Sequence, residues 1–174
     1  TIENTDPAKG IAKIFLSSYS ILSMSGGNIG DIESWAEGEI NLTGGSVNSL
    51  EMYNGSISYL SGGNINSLKM HNASTSYLYG GQINTLASDQ FAIMPDWGTP
   101  LVWIHIFCLP GYEYDDSTNL LTGQWRDGSA FNIHLQDIGN YPTYDLIEFH
   151  IPEPGTIVLL GLGGLWLRRR QVKH

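Results

Sequence analysis

Three histidines in the C-terminal half of the chain could together carry out metal chemistry: His105, His134 and His150. Each lies among apolar or aromatic residues in a segment that the sequence predicts to be a strand. Three imidazoles are enough to bind a zinc ion if the fold brings them together. Their spacing matches no metal-ligand motif, so structural histidines are the favoured interpretation. We therefore predict no metal ion and no cofactor.

Other groups that could do chemistry lack the partners that they would need. Cys108 is the only cysteine and lies in an apolar segment, where a small buried side chain is a simpler interpretation than a nucleophile. Asp115 and Asp116 could bind calcium weakly, but an acidic turn is the favoured interpretation. The chain contains no G-x-S-x-G, H-E-x-x-H or phosphate-loop motif. We predict no catalytic residue and therefore no enzyme.

The composition favours turn-rich β structure and makes nucleic acid an unsuitable partner. Only 14% of the 174 residues are charged, and 21 are glycine. The formal net charge is −9, and four of the eight basic residues fall within the last seven positions. The rest of the chain is therefore strongly acidic and would repel a phosphate backbone.

An 18-residue repeat organises the first half of the chain. Glycine pairs recur at this spacing: Gly26-Gly27, Gly44-Gly45, Gly62-Gly63 and Gly80-Gly81. Three apolar columns share the period: Ile11, Ile29, Val47, Ile65 and Ile83; Ile14, Ile32, Leu50, Leu68 and Leu86; Met24, Leu42, Leu60 and Leu78. Stacking of coils would join these residues into inward-facing ladders. We predict an all-β protein with a short β-solenoid of about five coils, each made of two short strands.

Aromatic residues also recur at the repeat spacing, at positions predicted to face outward. Trp35, Tyr53 and His71 form one column, and Tyr59 and Tyr77 form another. Aromatic ladders can bind sugars, so Trp35, Tyr53, Tyr59 and Tyr77 are candidates for a glycan-binding face. The simpler interpretation is that adjacent rungs stack their rings and thereby stabilise the sheet.

After the repeats, the sequence changes to strands with Trp and Tyr that are separated by Pro, Gly and Asp turns. Residues 101–108 and 144–150 are strand candidates, and residues 119–125 and 130–135 flank a hairpin turn at 126–129. A solenoid needs such a cap over its last rung. We predict three parts: solenoid repeats at 8–90, a β-rich cap at 91–150 and a tail at 151–174.

The tail has the features of a short membrane segment. Pro152, Glu153, Pro154 and Gly155 precede a largely apolar stretch, which three basic residues follow: Arg168, Arg169 and Arg170. The stretch consists of Thr156, Ile157, Val158, Leu159, Leu160, Gly161, Leu162, Gly163, Gly164, Leu165, Trp166 and Leu167. As a helix it would be roughly 18 Å long, which is short for a hydrocarbon core of roughly 30 Å. We expect a temporary membrane stop with the arginines on the cytoplasmic side.

The Pro-Glu-Pro triplet, the short glycine-containing apolar helix and the terminal arginines resemble the PEP-CTERM sorting signal of exported bacterial proteins. The resemblance covers about residues 151–170. It implies that an exosortase, a membrane-bound processing enzyme, recognises the tail, and that the protein moves from an inner-membrane intermediate to the envelope, surface or exterior. The chain begins at Thr1 with no secretory signal. Since export needs one, we expect that residue 1 is not the native start.

These features together predict an exported, non-enzymatic protein of the cell envelope or extracellular matrix, with exopolysaccharide as a possible partner. The alternative is a carbohydrate-binding module or a carbohydrate-active β-helix of the polysaccharide lyase type. A lyase would need basic and acid/base residues clustered along one outer face. Lys9, Lys13, Lys69 and Arg126 are the only basic residues available before the tail.

Overall fold

The computed structural model describes residues 10–71, 73–89, 104–138 and 142–152. These residues form ten β-strands and one turn of 3₁₀ helix at Thr143–Leu146, with no α-helix among them. The strands are β1 Ile11–Leu16, β2 Ile21–Ser34, β3 Glu39–Met52, β4 Ile57–Met70, β5 Thr75–Ser88, β6 Ile104–Phe107, β7 Glu113–Asp115, β8 Leu120–Gln124, β9 Ala130–Asp137 and β10 Ile147–His150. The prediction of an all-β fold is therefore confirmed for the described residues.

Strands β1 to β5 form the predicted β-solenoid. Each pairs in parallel with the next, and partners lie 18 residues apart in sequence, as for Val47 and Ile65 or Leu50 and Leu68. Strands β2 to β5 have 14 residues each, whereas β1 has six and pairs only with the second half of β2. The described residues thus form about four turns of the solenoid, and the predicted count of five is not confirmed.

Each coil contains one long strand that bends at the glycine pair, rather than the two short strands that the sequence predicts. The pairing register shifts at this bend, for example between Met24 and Asn28. The second glycine of every pair has a positive φ, from 85° at Gly27 to 93° at Gly81. Both arms of the bent strand contribute side chains to the same hydrophobic core, and a short turn leads to the next coil.

The three predicted apolar columns line the core, and the structure adds two more. Every member of the predicted columns is buried except Ile11 at the open end. A fourth column contains Met52 and Met70, both fully buried. A fifth places Ser58 beside Ser76, also fully buried, with their hydroxyl oxygens 2.7 Å apart. The hydrogen bond satisfies these two hydroxyls, so serine can occupy an inward position.

The strands after the solenoid continue its stack. Strand β6 pairs in parallel with the first arm of β5, and β9 pairs in parallel with the second arm. The predicted hairpin is present as the antiparallel pair β8 and β9. The indole of Trp125, at its turn, is fully buried and donates a hydrogen bond to the carbonyl oxygen of Gly81 at 2.9 Å. Strands β6 and β9 therefore cover β5, the last rung of the solenoid. The predicted boundaries between solenoid, cap and tail stay predictions.

The last predicted strand is shorter than expected. It begins at Ile147, because Thr143 and Leu146 are both buried and lie three residues apart within the 3₁₀ turn. The hydroxyl oxygen of Thr143 donates to the carbonyl of Gln136 at 2.6 Å and accepts from the amide of Ser88 at 3.1 Å. These bonds hold the start of the turn against β5 and β9.

Replacement of single glycines by alanine should show what the bend requires. Gly63→Ala combines a φ of +85° with a Cβ position 2.9 Å from the carbonyl oxygen of Gly45. Gly27→Ala has the same φ but open space, and Gly26→Ala has neither problem. We expect losses in unfolding free energy of about 3 kcal/mol for Gly63→Ala, about 1 for Gly27→Ala and less than about 0.5 for Gly26→Ala.

Urea unfolding followed by circular dichroism measures these losses, with Gly26→Ala as the matched control. Equal losses for all three variants would show that the bend depends on neither backbone conformation nor close approach between coils.

Candidate functional site

The first aromatic ladder, Trp35, Tyr53 and His71, lies at the turns that follow β2, β3 and β4. Its rings stack nearly parallel, with centroid distances of 4.0 Å between Trp35 and Tyr53 and 4.5 Å between Tyr53 and His71. The predicted stacking is therefore confirmed. Both faces of Tyr53 are covered by its neighbours, so a ligand can reach this residue only at the edge of its ring.

The second aromatic ladder consists of Tyr59, Tyr77 and His105. Tyr59 and Tyr77 stack as predicted at 5.1 Å, and His105 from β6 extends the stack at 4.6 Å from Tyr77. The sequence did not predict this third rung, since His105 does not lie 18 residues after Tyr77. Tyr77 is covered on both faces, whereas Tyr59 is 37% exposed.

A third aromatic ladder was missed entirely by the sequence analysis. Tyr79 stacks on Phe107 at 4.3 Å, and Phe107 stacks on His150 at 4.4 Å. The three residues come from β5, β6 and β10, which lie side by side but share no sequence period. The guanidinium of Arg126 lies 5.0 Å from the centre of the Phe107 ring and donates a hydrogen bond to the carbonyl oxygen of His150.

Charged groups surround the first ladder and are paired with one another. The hydroxyl of Tyr53 donates to Glu51 at 2.7 Å, and the Lys69 ammonium lies 3.1 Å from the same carboxylate. The Tyr53 hydrogen bond lowers the pKa of Glu51, and Lys69 adds to this effect against the opposing effect of burial. Burial and Glu51 together raise the pKa of Tyr53 well above its usual range. His71 contacts Asp89 at 2.6 Å.

The second and third ladders end in a cluster of His105, Glu148 and His150. Nδ1 of His105 lies 3.0 Å from Nε2 of His150 and 3.1 Å from Oε2 of Glu148. Nε2 of His150 lies 3.5 Å from the same carboxylate oxygen. Glu148 pairs with His105 in the parallel register of β10 and β6, and His150 follows two positions later on the same strand. Three potential metal-ligand atoms therefore converge on one point.

The environment of His105 favours a neutral imidazole. Burial lowers the pKa of His105, with a smaller contribution from His150, and Glu148 opposes the shift. His105 and His150 have side-chain exposures of 16% and 32%, whereas Glu148 is nearly half exposed. The neutral form is the one that binds metal ions.

The remaining candidates from the sequence take structural positions. His134 lies on β9 opposite Leu120, outside the cluster, so the structure joins two of the three histidines and not the third. Cys108 is buried, and burial raises the pKa of its thiol, which suits an unreactive side chain. Asp115 accepts hydrogen bonds from Ser117 and Thr118 and thus forms the expected acidic turn.

The predicted tail lies almost wholly outside the described residues. Pro152 is described, whereas Glu153, Pro154, Gly155, the apolar stretch at 156–167 and Arg168 to Arg170 are not. Among the residues that the structure describes, no helix has the length and apolar character to span a membrane. The predicted transmembrane helix therefore stays a prediction.

Comparison with known protein families identifies the tail. Residues 150–171 match the PEP-CTERM protein-sorting motif. This chain carries a PEP-CTERM sorting motif. No curated protein and no solved structure matches the chain.

The PEP-CTERM motif confirms the resemblance seen in the sequence and places this protein among exported ones. It implies passage through the membrane, processing by an exosortase and delivery to the cell envelope or surface. The motif begins at His150, the last residue of β10 and a member of the histidine cluster. The sorting sequence therefore starts where the described fold ends.

Removal of the Tyr53 hydroxyl should raise the pKa of Glu51. In Tyr53→Phe the ring still stacks, but the hydrogen bond that most strongly lowers this pKa is absent. The lowered pKa stabilises the fold above the pKa of Glu51 in the unfolded chain, and this contribution disappears as the pH falls through the folded-state value. We therefore expect Tyr53→Phe to lose about 1 kcal/mol of stability at neutral pH and less in acid.

Carbon-13 NMR titration of the Glu51 carboxyl group measures this pKa directly. Tyr59→Phe, which removes a hydroxyl from the second ladder, is the matched control and should leave it unchanged. A Glu51 pKa that is the same in Tyr53→Phe and in the unmodified chain would contradict the assigned cause.

Proposed function

We propose that this protein is a non-enzymatic structural component of the cell envelope or extracellular matrix. Its solenoid serves as a rigid, acidic spacer or adhesive body outside the cell. The observation that carries this proposal is the PEP-CTERM motif at residues 150–171, which begins at the last residue of β10, the last strand that the structure describes. A rigid solenoid that carries a sorting motif is suited to a structural role outside the cell, since such a role needs only the folded body.

The pairing of the polar residues supports a structural role. Lys13 contacts Glu33 at 2.6 Å and Lys69 contacts Glu51 at 3.1 Å, so both lysines are engaged in contacts between neighbouring coils. Asn48, Asn66 and Asn84 form an outward ladder whose amide groups lie 3.2 to 3.4 Å apart. Side chains used in this way strengthen the stack, and a polysaccharide lyase would instead need them around its substrate.

Exopolysaccharide is the partner that we propose for the outer surface of the solenoid. Trp35 and Tyr59 are the first aromatic residues of their ladders and are 40% and 37% exposed, so these two rings are the most accessible to a polymer. Stacking covers both faces of Tyr53 and Tyr77, and these residues therefore support the ladders rather than contact sugar rings. The arrangement supports weak, repeated contacts with a matrix polymer more than one deep glycan site.

We further propose that the tail acts as a temporary membrane stop. Residues 156–167 would span the membrane marginally, with Arg168, Arg169 and Arg170 on the cytoplasmic side. An exosortase would then cleave near Pro152, Glu153 and Pro154 and release the solenoid from its basic end. The mature protein would carry the acidic body without the arginines.

A sorting assay tests this proposal. A reporter that carries an added secretory signal and residues 150–174 is produced in a host with an exosortase and in a host without one. We expect a shortened, released reporter only in the first host, because the tail is a substrate and not a self-cleaving sequence. A matched variant in which Ala replaces Pro152, Glu153 and Pro154 should remain unprocessed in both. Equal release in both hosts would contradict the sorting proposal.

A further inference from the structure

The cluster of His105, Glu148 and His150 has the dimensions of a metal site. The three facing atoms form a triangle with edges of 3.0, 3.1 and 3.5 Å. Ligands at about 2.0 to 2.1 Å from a zinc ion lie about 3.3 Å apart in a tetrahedral site and about 3.0 Å apart on one face of an octahedral site. A single ion can therefore contact all three atoms with little movement of the chain.

Without a metal ion, one proton holds this triangle together. In the contact between His105 Nδ1 and His150 Nε2, one nitrogen must donate and the other must accept. A proton on His105 Nδ1 can be shared between His150 Nε2 and Glu148 Oε2, which lie 3.0 and 3.1 Å away. A cation among the three atoms would take the place of this proton and accept a lone pair from each atom.

The surrounding structure holds both imidazoles in place before any ion binds. His105 stacks on Tyr77 at 4.6 Å, and His150 stacks on Phe107 at 4.4 Å. The four paired residues of β6 and β10 fix the register that places Glu148 beside His105. Ligands held in this way lose little freedom on binding, which favours affinity.

We propose that His105 Nδ1, Glu148 Oε2 and His150 Nε2 bind one divalent transition-metal ion of the zinc type. Two imidazoles and one carboxylate are a ligand set that zinc accepts, and this set leaves at least one position for water. Glu148 is nearly half exposed, so that position faces solvent. This proposal differs from the sequence-based expectation that the chain binds no metal. The sequence offered His105, His134 and His150 as candidate ligands, whereas the structure groups Glu148 with His105 and His150.

Binding of the ion would fasten the last strand to the solenoid. Strand β10 pairs only with β6 among the described strands and ends at His150, where the PEP-CTERM motif begins. A metal bond between the two strands adds a link at this outer edge. The ion would therefore stabilise the folded body next to the segment that is proposed to be processed, although binding does not depend on the sorting role.

The test uses the full chain, purified without a histidine tag and treated with a chelator. Calorimetry with Zn²⁺ should show one ion per chain, and Co²⁺ should give the visible absorption of a low-symmetry site with imidazole ligands. His105→Gln and Glu148→Gln should each weaken Zn²⁺ binding at least about 100-fold. His134→Gln is the matched control and should bind as the unmodified chain does, since His134 lies outside the cluster.

Circular dichroism shows whether a variant that binds less Zn²⁺ is still folded. If a variant does not fold, the Co²⁺ spectrum of the unmodified chain still tests for imidazole ligands. Mg²⁺ and Ca²⁺ should not compete, because imidazole ligands suit zinc-type ions. The proposal is overturned if the unmodified chain shows no saturable binding of one Zn²⁺, or if the folded His105→Gln and Glu148→Gln variants bind as tightly as His134→Gln does.

Discussion

The close approach of one coil to the next at the glycine bend is the constraint on which the rest of the structure depends. A Cβ atom at Gly45, Gly63 or Gly81 would lie 2.8 to 2.9 Å from the carbonyl oxygen of the second glycine in the preceding coil. Only glycine permits this packing together with a positive φ. Because every coil bends at the same place, its two arms meet their counterparts in register, and each inward position joins a continuous ladder.

The stacked geometry extends beyond the repeats and forms the second and third aromatic ladders and the histidine cluster. Strands β6 and β9 continue the two arms of β5, although their sequences lack the 18-residue period. This continuation brings His105 onto the second aromatic ladder and His150 onto the third. The same scaffold thus orders aromatic rings, places two imidazoles beside Glu148 and ends where the PEP-CTERM motif begins.

The sequence predicts those parts of the structure that repeat or that have strong local signals. The period predicts the apolar columns and the stacking of Tyr53 and Tyr59 with their neighbours, and the turn residues predict the β8 and β9 hairpin. Ser58 was not predicted as part of the core, because a serine is normally exposed unless its hydroxyl has a buried partner. That partner, Ser76 in the next coil, is known only from the structure. The cluster at His105 and His150 depends on the pairing of β6 with β10, whose partners lie 43 residues apart, and this separation is no multiple of the repeat. The fold of the tail lies outside the described residues, so its features rest on sequence.

The central claim is that one 18-residue coil is the structural unit, and deletion of a whole unit tests it most directly. Removal of residues 46–63 joins Gly45 to Asn64, which restores an equivalent position in the next coil. Removal of residues 46–54, half of that length, shifts every later ladder out of register. Thermal unfolding followed by circular dichroism should show a cooperative β-sheet transition at a lower temperature for the first variant and no such transition for the second. Equal behaviour of the two variants would contradict the 18-residue register.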